Sequence, residues 1–199
     1  MRTTRFDLRQ PHLQRGLTAI ELLVALVILA ILLGIASPSM SRFISQWRVS
    51  NTVNALTGSL RVARTEAIAR ARPVVVCRVA NSTSTTCLST AGTNGFASGW
   101  IVFANNDTDD NNDFATATDE ILLRQDAQSG IANIRLNTAG RFVFYPNGLL
   151  KDNANGINVD ASSFISTSAT PWARKGLCIT KPGRVRSIAD AGDCGTGEK

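Results

Sequence analysis

Histidine is almost missing from this chain. The one imidazole among its 199 residues is His12, no nucleophile sits beside an evident base, and no glycine-rich loop follows a strand pattern where it would cradle phosphates. The sequence therefore reads as a non-enzyme and implies no cofactor. Close Cys-x-x-Cys pairs are missing too, which makes zinc the weaker reading of the four cysteines, Cys77, Cys87, Cys178 and Cys194. Charge is the third scarcity. From Leu17 to Met40 the only ionisable side chain is Glu21.

What fills that stretch is Leu, Ile, Val and Ala, and about 20 such residues in a helix cross a hydrocarbon core. Arg2, Arg5, Arg9 and Arg15 precede it against Asp7 alone, so the positive-inside rule keeps the N-terminus cytoplasmic and sends the rest across the membrane. A carboxylate at the centre of a membrane helix costs roughly 3 kcal/mol even on the lenient insertion scale. Glu21 therefore needs a partner. Cleavage between Gly16 and Leu17 supplies one, because the new α-amine then lies within a helical turn of Glu21, on the same subunit or a neighbour. Two other readings stay open. One is a secretory signal with an h-region from Leu17 to Leu33 and a small-residue site at Gly34-Ile35-Ala36, against which the internal charge counts. The other is a plain single-span anchor, which leaves Glu21 unexplained.

Gly16, Leu17, Glu21 and the apolar run resemble the class III leader of type IV pilins and pseudopilins. The resemblance implies a prepilin peptidase that cuts after Gly16 and methylates the new N-terminus at Leu17, where the commonest first residue of the family is Phe. It also implies that Glu21 acts in filament assembly, with other pilins or pseudopilins and the inner membrane as partners.

The formal charge is +6. Residues 1–16 hold four Arg and one Asp, or +3, which leaves 6 − 3 = +3 for the remainder. Any nucleic-acid reading must then rest on where the charges lie. Four cysteines permit three pairings, and short-range closure favours Cys77 with Cys87 and Cys178 with Cys194, in a compartment that permits oxidation.

Pro38 removes a backbone donor and predicts a kink near Ser37 to Ser39. Beyond it Phe43, Trp47, Val53, Leu56, Leu60, Ala63 and Ala67 trace one apolar helical face. Arg61, Arg64, Arg70 and Arg72 decorate the same helix as a solvated face, with Glu66 supporting Arg70, and Pro73 ends it. Short β-branched and aromatic runs follow at 74–77, 100–103, 121–123, 134–136, 141–144 and 176–179, with Pro146-Asn147-Gly148 as a turn. The expected class is α+β: a leader over 1–16, a membrane or filament-core helix over 17–40, its amphipathic continuation over 41–72, and a β-rich head over 73–199. Leu60 to Ile68, the Cys77 strand and Gly99-Trp100-Ile101-Val102-Phe103 are similar to the minor pilins and pseudopilins grouped as GspH/FimT.

Two segments are candidate sites. In the acidic loop, Asp109, Asn111, Asp113 and Glu120 take the first, third, fifth and twelfth places of an EF-hand-like Ca²⁺ loop. Phe114 stands where that loop needs glycine, and strands rather than helices flank it, so a hydrated inter-strand loop is the default. Near the C-terminus Arg174, Lys175, Lys181, Arg184 and Arg186 place five cations within thirteen residues. On a strand Arg184 and Arg186 leave from one face, as adjacent backbone phosphates require. Trp172 is close enough in sequence to stack on a base, against the commoner role of core packing. Gly183-Arg184-Val185-Arg186 resembles the element by which FimT-type minor pilins bind double-stranded DNA in natural transformation. The competing reading is an exposed basic tail whose arginines pair with Asp190, Asp193 or a neighbouring subunit.

The expected function is that of a minor type IV pilin, FimT-like, that enters or primes a pilus and contacts DNA for uptake. The alternative is a GspH-type pseudopilin of a type II secretion system. In either role the expectation is a single-pass inner-membrane protein with a periplasmic head, later built into the filament.

Overall fold

The computed structural model describes residues 16–90, 92–107, 112–136, 140–151 and 155–194; the side chains of residues 36–38, 136, 155 and 193 also fall outside that description. The chain divides into two compact units, Met1–Met40 and Ser41–Lys199. One helix, α1, runs Ala19–Arg70. The kink expected at Pro38 falls on residues 36–38, whose side chains lie outside the description.

In the first unit every described side chain from 16 to 35 is exposed, including Leu17, Ile20, Leu22, Leu23 and Leu26. A helix apolar all round is stable only when lipid or other helices cover it. No single helix among the described residues is long and apolar enough to cross a membrane, whereas Ala19–Ile35 taken with Ser39–Arg70 is by length and composition.

In the second unit α1 turns amphipathic. Val49, Thr52, Val53, Leu56, Ser59, Leu60, Ala63 and Ala67 are buried, at the three- and four-residue steps of one face. Phe43 and Trp47 extend that pattern in sequence but are 63% and 60% exposed: the main core takes in α1 only from Val49 onward, and before it the helix meets the head through polar contacts such as Ser163 Oγ to Ser45 Oγ at 3.1 Å. The helix stops two residues before the expected end, in a Schellman cap. Arg72 N–H bonds Ala67 C=O, Ala71 N–H bonds Ile68 C=O, and Ala71 takes the left-handed conformation at φ 51°.

The head is built from two antiparallel four-stranded sheets. The first contains β1 (Val74–Arg78), β2 (Trp100–Ala104), β3 (Glu120–Gln125) and β5 (Arg141–Phe144), in the order β3-β2-β1-β5. The second contains β4 (Ile131–Leu136), β6 (Asn155–Ala161), β7 (Arg174–Ile179) and β8 (Val185–Ile188), in the order β4-β6-β7-β8. One core joins the buried face of α1 to side chains of both sheets, among them Val74, Val76, Trp100, Phe142, Ile157 and Leu177. A second, smaller core lies on the other face of the first sheet, around Val75, Cys77, Ile101, Phe103 and Val143. Covering both faces explains why β1 and β2 read as unbroken apolar runs and not as alternations. The disulfide Cys77–Cys87 closes over this second core and Cys178–Cys194 ties the C-terminal segment to β7, with Cα separations of 5.6 and 5.4 Å.

Trp100 is fully buried and its indole N–H donates to Ser59 Oγ at 2.9 Å, which registers β2 on α1. Ser59→Ala leaves that donor unpaired in the core, at an expected loss of about 1–3 kcal/mol in urea-unfolding stability. An unchanged midpoint would show that water replaces the hydroxyl.

Candidate functional site

Three features stand out, the opening of the stem, an ion-paired arginine in the head, and a cationic hairpin.

At the stem, Thr18 precedes the first helical residue, and its Oγ1 accepts from Glu21 N–H at 3.3 Å. This is half of a capping box, with the Thr-x-x-Glu spacing visible in the sequence. The Glu21 carboxylate itself has no partner among the described residues. Gly16 and Leu17 are exposed, Leu17 at 78%, so the junction is open to a peptidase.

Arg174 leaves the set of five cations. Its guanidinium bonds both carboxylate oxygens of Asp160, at 2.6 and 2.9 Å, and Asp190 at 2.7 Å, and it lies 4.1 Å from the centre of the Phe164 ring. Asp160 comes from β6, whose outward residues Asn158 and Asp160 alternate with the core residues Ile157 and Val159. Hydrogen bonding to Asp160 raises the arginine pKa against the opposing effect of burial. The Asp190 carboxyl is held below its ordinary pKa, first by the Gly192 N–H and then by Arg174, with Asn158 adding a third bond. An arginine so engaged is structural and cannot also grip a phosphate. Asp190 thus pairs an arginine, as the basic-tail reading anticipates, but the arginine is Arg174.

Lys175 points the other way from β7, and its Nζ lies 3.2 Å from Ser50 Oγ of α1. Beside it, Gln46, Val49, Trp172, Arg174 and Ser187 line a groove of about 560 Å³. Trp172 is partly buried against the main core, with Arg42 5.9 Å from its ring centre. That is packing, not a free stacking platform.

The hairpin between β7 and β8 carries the remaining cations. Its turn is closed by Thr180 N–H to Arg184 C=O at 3.0 Å and Gly183 N–H to Thr180 C=O at 2.8 Å, with Gly183 at φ 76°. Arg184 therefore belongs to the turn, and only Arg186 lies within the strand. The two thus do not share the strand that the sequence reading supposes. Arg184 lines a cleft with Arg61 and Arg64 of α1, while Arg186 stands opposite Cys178, on the disulfide side of β8. Lys181, Arg184 and Arg186 are exposed and hold no carboxylate among the described residues. Arg70, Arg141 and Arg174, by contrast, are each paired.

Of the four Ca²⁺ candidates only Asp113 and Glu120 lie among the described residues. Asp109 and Asn111 lie outside the described residues. Asp113 bonds Arg141 at 2.8 Å and Glu120 bonds Arg70 at 2.6 Å, so both carboxylates already face a cation. Asp119 organises the loop instead, accepting from Asn106 and Ala115 N–H at 2.8 and 2.9 Å. Among the described residues no group of three or more His, Cys, Asp or Glu is placed to hold a metal ion.

An apolar stem that opens on a glycine junction and continues into an α+β head defines the type IV filament subunits. The chain belongs to the GspH family: the family model described as type II transport protein GspH matches residues 52–180, and the prokaryotic N-terminal methylation motif matches residues 11–37. This is a family of structural pilin and pseudopilin proteins. Membership implies a membrane-anchored pilus or pseudopilus component that is processed by a prepilin peptidase and assembles with other pilins. Among solved structures the chain is similar in fold to the type IV minor pilin FimU of Pseudomonas aeruginosa. The two are 13% identical, with 73% of this chain and 92% of that chain covered and a TM-score of 0.52. A weaker likeness, at a TM-score of 0.41 and 12% identity, is to the minor pseudopilin EpsH of the type 2 secretion system of Vibrio cholerae, covering 76% of this chain and 99% of that one. No curated protein matches the chain.

Proposed function

We propose that the protein is a minor subunit of a type IV pilus whose β7–β8 hairpin contacts the phosphate backbone of double-stranded DNA. The observation that carries this reading is the exposure of Lys181, Arg184 and Arg186 on one hairpin without a carboxylate partner among the described residues, in a head that pairs other arginines closely. A hairpin stiffened by the Cys178–Cys194 bridge holds these charges on a short, rigid element. Contacts of this kind are independent of base sequence, and each releases counterions on binding. In this reading the leader is cut after Gly16, Leu17 is methylated, the stem holds the chain in the inner membrane, and the head faces the periplasm until assembly draws the subunit into the filament.

The test is a gel-shift series of duplex DNA against the purified chain at rising salt. Arg184→Ala with Arg186→Ala is expected to weaken binding at low salt and to reduce the slope of log K against log salt by about 2. Duplex binding unchanged in slope and affinity would sink the DNA half of the proposal.

The family model's description favours a second reading, a pseudopilin of a type II secretion system. Deleting the gene separates the two. Loss of surface pili with secretion intact supports the first, and loss of secretion with pili intact supports the second.

A further inference from the structure

On the stem side of the hairpin, Arg61, Arg64 and Arg184 line one cleft of about 380 Å³ together with Thr65, Gly183 and Val185. Residues three apart on a helix are neighbours, so Arg61 and Arg64 present two guanidinium groups together, and the turn brings a third from a distant part of the chain. None of the three holds a carboxylate among the described residues. Thr65 does not offset the charge either, since its hydroxyl is directed to the Arg61 and Val62 carbonyls at 3.1 and 3.0 Å.

Arg64 is fixed where it stands. Two turns press main chain against it, both with a glycine in the left-handed region, Gly148 at φ 74° and Gly183 at φ 76°. A β-carbon at Gly183 would lie 2.9 Å from Arg64 Cδ and 3.1 Å from its Nε, and one at Gly148 would lie 3.3 Å from Nε. The turns are pinned to each other by Leu150 N–H donating to Lys181 C=O at 2.8 Å. The Arg64 Nε is buried and has no hydrogen-bond partner among the described residues. A buried donor on a charged group is costly when unpaired, and three like charges converging without a counterion repel one another. Both costs are removed by one anion with several oxygens, and guanidinium forks match phosphate in shape.

We infer that this cleft is a phosphate-anchoring site, with Arg64 as the fixed anchor and Arg61 and Arg184 as its movable walls. Its ligand group is a phosphate ester. In the filament that group is one phosphodiester of the DNA which the hairpin contacts, so the identity of the ligand rests on the reading above while the anion site does not. The strand then crosses from Arg186 over the hairpin to α1, and the arginines of the stem, read from sequence as a solvated face, become half of the binding surface.

The test uses the full chain in detergent with three probes: inorganic phosphate, glycerol 3-phosphate as a lipid headgroup analogue, and a 12-base-pair duplex. Affinity is read by calorimetry for the wild type, Arg64→Gln, Arg61→Gln and, as a control away from the cleft, Arg135→Gln. Inorganic phosphate is expected to bind the wild type and Arg135→Gln alike, and Arg64→Gln about tenfold or more weakly. Duplex binding should keep its dependence on Arg186 and lose about 1 from its salt slope in Arg64→Gln. Arg61 is exposed, so Arg61→Gln keeps the test decisive if Arg64→Gln proves unfolded by its melting curve. Phosphate affinity unchanged in the folded arginine variants overturns the site. Duplex binding that depends on Arg186 and ignores both Arg61 and Arg64 overturns DNA as the ligand of the cleft while leaving the DNA reading of the hairpin in place. Phosphate or glycerol 3-phosphate binding that needs Arg64, in a chain that fails to bind duplex, upholds the anion site and removes DNA as its ligand.

Discussion

Filaments from cells carrying Glu21→Ala are expected to contain none of the variant subunit, while the membrane fraction holds it at the wild-type level. The stem is apolar on all sides and every described side chain from 16 to 35 is exposed in the single chain. Assembly that buries this surface among other helices also buries Glu21, and an acidic group there is tolerable only beside a cation. The α-amine that the proposed cleavage after Gly16 would create is the cation nearest in sequence, one helical turn away. The competing account is local: Glu21 sits in the first turn, where Thr18 Oγ1 already accepts its N–H at 3.3 Å, and a carboxylate there also favours the positive end of the helix dipole. Glu21→Gln separates the two, because glutamine serves a capping box as well as glutamate but carries no charge. If capping were the whole role, Glu21→Gln would enter filaments normally. If charge pairing is the role, it fails as Glu21→Ala does. Immunoblots of sheared filaments and of membranes read the outcome, and normal incorporation of Glu21→Ala would contradict the mechanism outright.

The stem and most of the strands were legible because their signals are local. An apolar run with one carboxylate announces itself, and Val74-Val75-Val76-Cys77 and Trp100-Ile101-Val102-Phe103 carry β preference on every residue. β6, Asn155–Ala161, went unread because Asn, Gly and Asp are turn residues in most contexts. Its signal was the alternation Ile157, Val159, Ala161 against Asn158, Asp160, and it needed a reason for polar residues on the outer face. That reason is non-local. Asn158 Oδ1 accepts from Ala191 N–H at 2.8 Å, and Asp160 holds Arg174.

The site divides along the same line. Cys77–Cys87 and Cys178–Cys194 follow from short-range closure, which sequence separation predicts directly. The partition of the five C-terminal cations does not, because clustering in sequence says nothing about which carboxylate folds back upon which arginine. Arg174 is drawn inward by Asp160 and Asp190, and Arg184 is turned toward α1 by a hairpin that closes one residue later than a strand reading assumes. Phe43 and Trp47 show the limit from the other side. Periodicity continued the apolar face through them, but only the reach of the core, which takes in α1 from Val49 onward, decides which part of a helical stripe is buried within the subunit.

Arg174→Ala is expected to destabilise the head by about 3–5 kcal/mol, because it leaves a buried carboxylate without its cation. The Asp160 side chain is 6% exposed and that of Arg174 18%, so water screens the pair poorly. The arginine also gives up its contact with the Phe164 ring at 4.1 Å. In a chain of this size the loss corresponds to a fall in melting temperature of roughly 10 °C or more. A pH series supplies the sign. The folded-state pKa of Asp190 is lowered, by the Gly192 N–H first and by Arg174 second, so its contribution is present above the unfolded carboxylate value near 4 and is lost as pH falls through the folded value. The wild type should therefore lose stability on acidification through that window, and Arg174→Ala should lose less, since only the Gly192 and Asn158 bonds then hold Asp190 down. Duplex affinity measured well below the melting temperature should not change, because Arg174 is not among the exposed cations of the hairpin. A variant that melts like the wild type but binds DNA less tightly would reverse the assignment and return Arg174 to the binding surface.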